Sequence, residues 1–180
     1  LGGKKIEQYS PVAWRKNCGT VMQNGFIFND TIKGNISLSD DYPDMDCVRN
    51  ATNIANIDEF IQSLPMGYDT KIGVEGQDLS SGQKQRILIA RAVYKKTKFL
   101  LFDEATNSLD ANNEKIIHER LERLFLDKTV VVVAHRLSTV KNADNIIVIN
   151  DGRIVEQGKH NDLISQKGFY FELVKNQLEL

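Results

Sequence analysis

The chain has 180 residues, 41% of them hydrophobic and 26% charged, which is the length of one domain and the composition of a folded one. Disordered tails, collagen-like fibres and disulfide-stapled miniproteins are excluded. With 23 Lys and Arg against 24 Asp and Glu the net charge is −1, so no global field favours a nucleic acid or an anionic membrane, and no nucleic-acid partner is expected.

In chain order, Leu1 to Lys5 carry two lysines with no apolar stretch behind them, which is not a signal peptide. The first residue is not Met, so a piece of a longer chain is expected. Cys18 to Met22 and Phe26 to Phe28 are strand-like. Cys18 and Cys47 stand too far apart for a CxxC site and read as two free thiols in a reducing compartment. From Thr31 to Leu64 the pattern is helical with a polar surface, punctuated by Pro43 and Pro65; this predicts a helical insertion on an α/β core. A helix follows Leu79–Gln83, with Ile87, Ala90 and Tyr94 on one face. Lys98 to Phe102 reads as a buried strand, Asn112 to Phe125 as a helix with Ile116, Ile117, Leu121 and Leu124 at helical spacing, and Lys128 to Ala134 as a second strand, far too short to span a membrane. Strand, helix, strand with wholly apolar strands predicts a mainly parallel sheet covered on both faces, with Phe99–Phe102 and Val130–Val133 central and buried. Asp144 to Asn150 is a third strand, Asn150-Asp151-Gly152-Arg153 a hairpin turn, and Asp162–Ile164 and Phe169–Leu178 are closing helices. No internal repeat or low-complexity segment is visible.

Three places carry chemistry. Phe99-Leu100-Leu101-Phe102-Asp103-Glu104 is an apolar strand ending in two carboxylates. At the carboxyl end of a parallel strand one acid can hold hydrated Mg²⁺ and the next can orient or deprotonate water; equally, such a strand can end in solvated charges at a turn. Leu79-Ser80-Ser81-Gly82-Gln83 starts a helix, with Ser80 or Ser81 as its cap and Gly82 permitting close approach of a ligand. Free N–H groups there suit a phosphate, although an ordinary capped helix has the same look. Ala134-His135-Arg136-Leu137-Ser138 sets a histidine at a strand end, where it can donate to a phosphoryl oxygen. His118 and His160 read as structural.

The order of these elements, LSSGQ, FLLFDE, NSLD and AHRLSTV, resembles the nucleotide-binding domain of ABC transporters, and the resemblance covers essentially the whole chain. Leu79–Gln83 match the signature motif, Phe99–Glu104 the Walker B strand, Asn107–Asp110 the D-loop, His135 the switch histidine and Gln23 the Q-loop. GTVMQNGFIFNDTIKGNI and VVAHRLSTVKNADNIIVINDGRIVEQGKH look like exporters, especially the bacterial type with an attached peptidase that handles peptides and bacteriocins. The resemblance implies an α/β fold with a RecA-like P-loop NTPase core, a mainly parallel sheet with flanking helices and an inserted α-helical subdomain. It divides the chain into a core remnant at 1–30, a helical subdomain at 31–95 ending in the signature helix, and a core at 96–180. It implies ATP and Mg²⁺: Asp103, together with Gln23, toward the metal, Glu104 as general base, His135 and Gln23 at the γ-phosphate. Ser80, Ser81, Gly82 and Gln83 would close over an ATP on an opposing subunit, with Asp110 at the dimer interface. The implied partners are a second nucleotide-binding domain, head to tail, and a transmembrane domain, at the cytoplasmic face of the cell membrane.

The departures are informative. No GxxxxGK[ST] occurs anywhere in the chain; the phosphate loop, the adenine-stacking aromatic residue and the first strands are expected upstream of Leu1. Ser81 stands where the family usually has glycine, and Val74 replaces the first acid of an exporter loop usually read as glycine-glutamate, with Glu75 following it. The chain alone is therefore expected to be inactive. A non-catalytic module that only donates its signature loop, and a soluble ABC ATPase of DNA repair or translation, are the alternatives.

Overall fold

The computed structural model describes residues 3, 5–38, 40–134 and 137–178. Side-chain caps decide where its helices begin. Ser10 accepts from the Ala13 N–H at the start of α1 (Pro11–Lys16), whose first residue is a proline, with φ already set for a helix. β1 (Cys18–Val21) follows. β2 (Asp30–Thr31) runs straight into α2 (Ile32–Ser37), where the Thr31 hydroxyl accepts from Gly34 N–H at 3.0 Å. Asp44 caps α3 (Met45–Ile54) by accepting from the Asp46 and Cys47 N–H groups. After α4 (Asp58–Ser63), β3 (Lys71–Ile72) pairs antiparallel with β2. Next come α5 (Ser81–Tyr94), β4 (Phe99–Asp103), α6 (Ala111–Phe125) and β5 (Thr129–Val133). Helices thus fill most of 32–94, where the apolar spacing predicts them.

β1 and β4 are parallel, in register from Cys18 beside Phe99 to Val21 beside Phe102, and β5 lies on the other side of β4. The core joins this sheet to the helices through Val21, Ile36, Val48, Ile87, Leu100 and Ile117. The mixed α/β fold with a parallel sheet is the one expected from the sequence.

Two local expectations are corrected. Phe26–Phe28 is not a strand: its backbone groups are bound by side chains, with Phe28 N–H and C=O both paired to Asn35 and Phe26 C=O to Arg91. Val130–Val133 is not a central, buried strand. β5 is the edge of the sheet among the described residues. Val130 and Val132 pack on the core, while Val131 and Val133 on the other face are each 51% exposed. An all-valine run conceals this alternation.

The chain divides into two compact units, Leu1–Val132 and Val133–Leu180. The second contains α7 (Leu137–Val140), β6 (Ile146–Asn150), β7 (Arg153–Gly158), α8 (His160–Gln166) and α9 (Phe169–Leu178). β6 and β7 form an antiparallel hairpin and a sheet of their own. Asp151 and Gly152 turn it with φ of 48° and 72°, the conformation that selects Asp-Gly. Ile146, Val148, Leu163, Tyr170 and Val174 make its core. Glu156 accepts from the Phe169 and Tyr170 N–H groups at 2.5 and 2.8 Å, capping α9.

Candidate functional site

Because β1 and β4 are parallel and end side by side, the residues just past their carboxyl ends arrive together. Asp103 closes β4 and Glu104 follows it with φ of 47°. A left-handed glutamate is strained, and it is held from two sides. Gln23 Nε2 donates to Glu104 Oε2 at 2.7 Å, across 81 residues of sequence. Asn107 Nδ2 donates to the same oxygen at 2.5 Å, and Asn107 N–H reaches the Glu104 carbonyl at 3.3 Å. The structure therefore brings Gln23, Asp103, Glu104 and Asn107 to one end of the sheet, where ligands of parallel sheets bind.

A second cluster surrounds the start of α5. Ser80 is the cap: its hydroxyl accepts from Gln83 N–H at 3.2 Å, and Gln83 Oε1 accepts from Ser80 N–H at 2.9 Å, a complete capping box. Ser81 is the first helical residue. Gly82 faces the loop before α6 closely; a Cβ there would lie 3.1 Å from the Ser108 carbonyl oxygen. Asp110 caps α6 by accepting from Asn113 N–H at 2.9 Å and from Asn113 Nδ2 at 2.5 Å. That backbone N–H, and then the side-chain amide, hold the Asp110 carboxyl below its ordinary range. Asn113 Oδ1 in turn accepts from Arg86 at 2.7 Å and from Asn56 at 2.8 Å. Arg86 of α5, the start of α6 and the turn after α3 are thus one hydrogen-bonded unit, with Gly82 packed close beside it.

His135 lies outside the described residues. His118 pairs with Glu122 at 3.2 Å, and His160 shares a 2.8 Å hydrogen bond with Tyr170, which fits their structural reading. Val74 is 92% exposed, and the neighbouring Glu75 accepts from Asn29 at 3.2 Å. Sequence reasoning missed the Asn107 contact to Glu104, although its position three residues on was a usable signal. It also missed Arg86, Asn113 and Asn56, whose partners lie far apart in the chain.

Among the described residues no group of three or more His, Cys, Asp or Glu gathers into a metal cage. Mg²⁺ needs none: it is bound by one or two carboxylates plus water and phosphate oxygens. Asp103 and Glu104, adjacent hard oxygen donors at the sheet's carboxyl end, fit that requirement.

The family model described as "ABC transporter" matches residues 1–107. The chain is 46% identical over 177 residues to ABC transporter B family member 14 of Arabidopsis thaliana, covering 98% of this chain and 14% of that protein. It is 45% identical to an ATP-dependent lipid A-core flippase of Legionella pneumophila, again over 98% of this chain and 30% of the relative. A solved bacterial Atm1-family ABC exporter with ATP bound superposes with a TM-score of 0.93 and 40% identity, over 98% of this chain and 31% of that one. The chain spans less than a third of the length of these proteins.

Proposed function

Because the chain belongs to the ABC transporter family, we propose that it is the nucleotide-binding domain of an exporter, using ATP hydrolysis to drive transport across a membrane. The observation that carries this is the constellation of Gln23, Asp103, Glu104 and Asn107 at the ends of two parallel strands. Glu104 is the general base: it is pinned by two amides, so its oxygen is preorganised to orient or deprotonate an attacking water. Asp103 would hold Mg²⁺ through water, and the ion when bound neutralises phosphate charge. Gln23, already bonded to Glu104, changes partner when a γ-phosphate enters. His135 donates to that phosphate.

Ser80, Ser81, Gly82 and Gln83 present a capped helix start to the ATP of a second, head-to-tail copy, with Asp110 at the shared face. Ser81 brings a small side chain where glycine is usual. The domain faces a transmembrane partner; among the described residues no helix is long and apolar enough to cross a membrane itself. The division into 1–30, 31–95 and 96–180 belongs to this reading. A peptide is the cargo that the Q-loop and switch stretches favour; a lipid is the cargo named for the Legionella relative.

The test is Glu104→Gln in the transporter that carries this domain. The substitution keeps shape and removes the base, so ATP binding persists while turnover falls by about a hundredfold or more. Turnover at the wild-type rate would overturn the assignment.

A further inference from the structure

Gln23 sits in a stretch, 22–29, that has no helix or strand, yet its amide meets Glu104 at hydrogen-bond distance. Something other than secondary structure must set that loop. Three contacts do, all on or through one face of α5. Gly25 lies against Leu88 so closely that a Cβ would come 2.3 Å from Leu88 Cδ1. One turn further along, Arg91 donates from Nη1 to the Phe26 carbonyl at 2.9 Å, from Nε to the Asn35 carbonyl at 2.7 Å and from Nη2 to Asn35 Oδ1 at 3.1 Å. Its guanidinium carbon stands 5.4 Å from the centre of the Phe28 ring. Asn35, fully buried, passes the grip on: its Oδ1 accepts from Phe28 N–H at 2.8 Å and its Nδ2 donates to Phe28 C=O at 2.9 Å.

Arg91 meets carbonyls and an amide here, with no carboxylate among these partners. Burial draws its pKa down to about 10, which leaves it charged at neutral pH. A fork of fixed N–H donors is what three acceptors on two chain segments demand; a lysine ammonium of similar reach cannot serve them together.

We propose that Arg91 is a positioning residue: with Asn35 it clamps the 25–28 loop to the signature helix, and so sets where Gln23 meets Glu104. The start of α5 is the signature stretch, so a displacement of that helix moves the glutamine with it. The inference rests on the reading of Gln23 and Glu104 as the nucleotide end of the domain, but its test contains no nucleotide.

The full 180-residue chain is labelled with ¹⁵N and the Gln23 side-chain amide resonance is followed, identified by its loss in Gln23→Leu. Glu104→Ala supplies the position of that resonance when the contact is broken. Arg91→Lys is expected to move it to the same position. Exchange of the Phe28 amide should quicken about tenfold, while Ile89 in the core of α5 keeps its wild-type rate. A general loss of packing would speed both. An unmoved Gln23 resonance in folded Arg91→Lys overturns the proposal, as does a wild-type resonance that ignores Glu104→Ala. Should Arg91→Lys not fold, Gly25→Val lifts the same loop off Leu88 and is read identically: a shift supports the clamp and no shift overturns it. Wild-type turnover in Glu104→Gln would defeat the catalytic reading and leave these spectra as they are.

Discussion

Asp110 stands at a dimer face only in the proposed arrangement; the geometry itself makes it the cap of α6 and an anchor for Asn113, which Arg86 and Asn56 also hold. The hydrogen bonds from Asn113 favour the charged carboxyl, so its pKa in the folded chain lies below that of the unfolded chain. A group lowered in this way contributes stability above its unfolded pKa of about 4, and loses it as the pH falls through the folded value. Asp110→Asn keeps an oxygen to cap the helix but removes the charge. The variant is therefore expected to lose less stability than the wild type between pH 5 and pH 2, a window set by that lowered carboxyl. Urea midpoints of both proteins across the window decide it; parallel curves would mean that Asp110 contributes nothing through its charge.

The elements differ in how openly the sequence announces them. The start of α5 is spelled out locally: Ser80 and Gln83 are three residues apart and answer each other's backbone, and Ile87 and Ala90 lie behind them in the core. Ser80→Ala should accordingly lower stability by about 1 kcal/mol, and Ser80→Asp should restore most of it. Chemical denaturation checks this, and an undiminished Ser80→Ala would show that the capping box has no energetic weight. β1, β4, α6 and the β6–β7 turn were legible for the same reason, since periodicity and turn chemistry are short-range signals. The loop from Gly25 to Phe28 was not. Its aromatic, apolar letters suggest a strand, but Arg91 and Asn35, which bind it, are remote from it in sequence or act through a side chain no pattern reveals. Nor could four consecutive valines tell which face of β5 is covered. At the site, Asp103 and Glu104 stood out as two carboxylates ending an apolar strand, whereas Gln23 drew notice only through resemblance. The strand register explains why they meet, and the left-handed backbone at Glu104 was invisible beforehand.

At the scale of the whole molecule, the groups that would act on a phosphate and the groups that would hold one are separable. The first set is assembled: Glu104 is fixed by two amides and Asp103 stands beside it. Nothing in the 180 residues has the GxxxxGK[ST] pattern that wraps a triphosphate in backbone N–H groups and supplies a lysine. A base without a positioned substrate achieves little, because orientation and preorganised charge account for much of the barrier reduction. Nor can Ser80–Gln83 substitute, since in the proposed arrangement they face the nucleotide of another copy, and two copies of this chain would share the same lack. The chain as printed is therefore expected to bind Mg-ATP weakly at best and not to hydrolyse it. Titration calorimetry and a phosphate-release assay on the purified protein measure both. Micromolar affinity with turnover would mean that a phosphate cradle exists among residues assigned no such role. The capping box at Ser80 is formed without a ligand, so its contribution to a partner needs no folding step. Mixing the chain with a nucleotide-binding domain that carries an intact phosphate loop, itself made unable to self-dimerise, should then capture ATP where neither protein does alone. Capture should fall when Ser80–Gln83 is disrupted, and capture that survives the disruption would remove the signature stretch from the account.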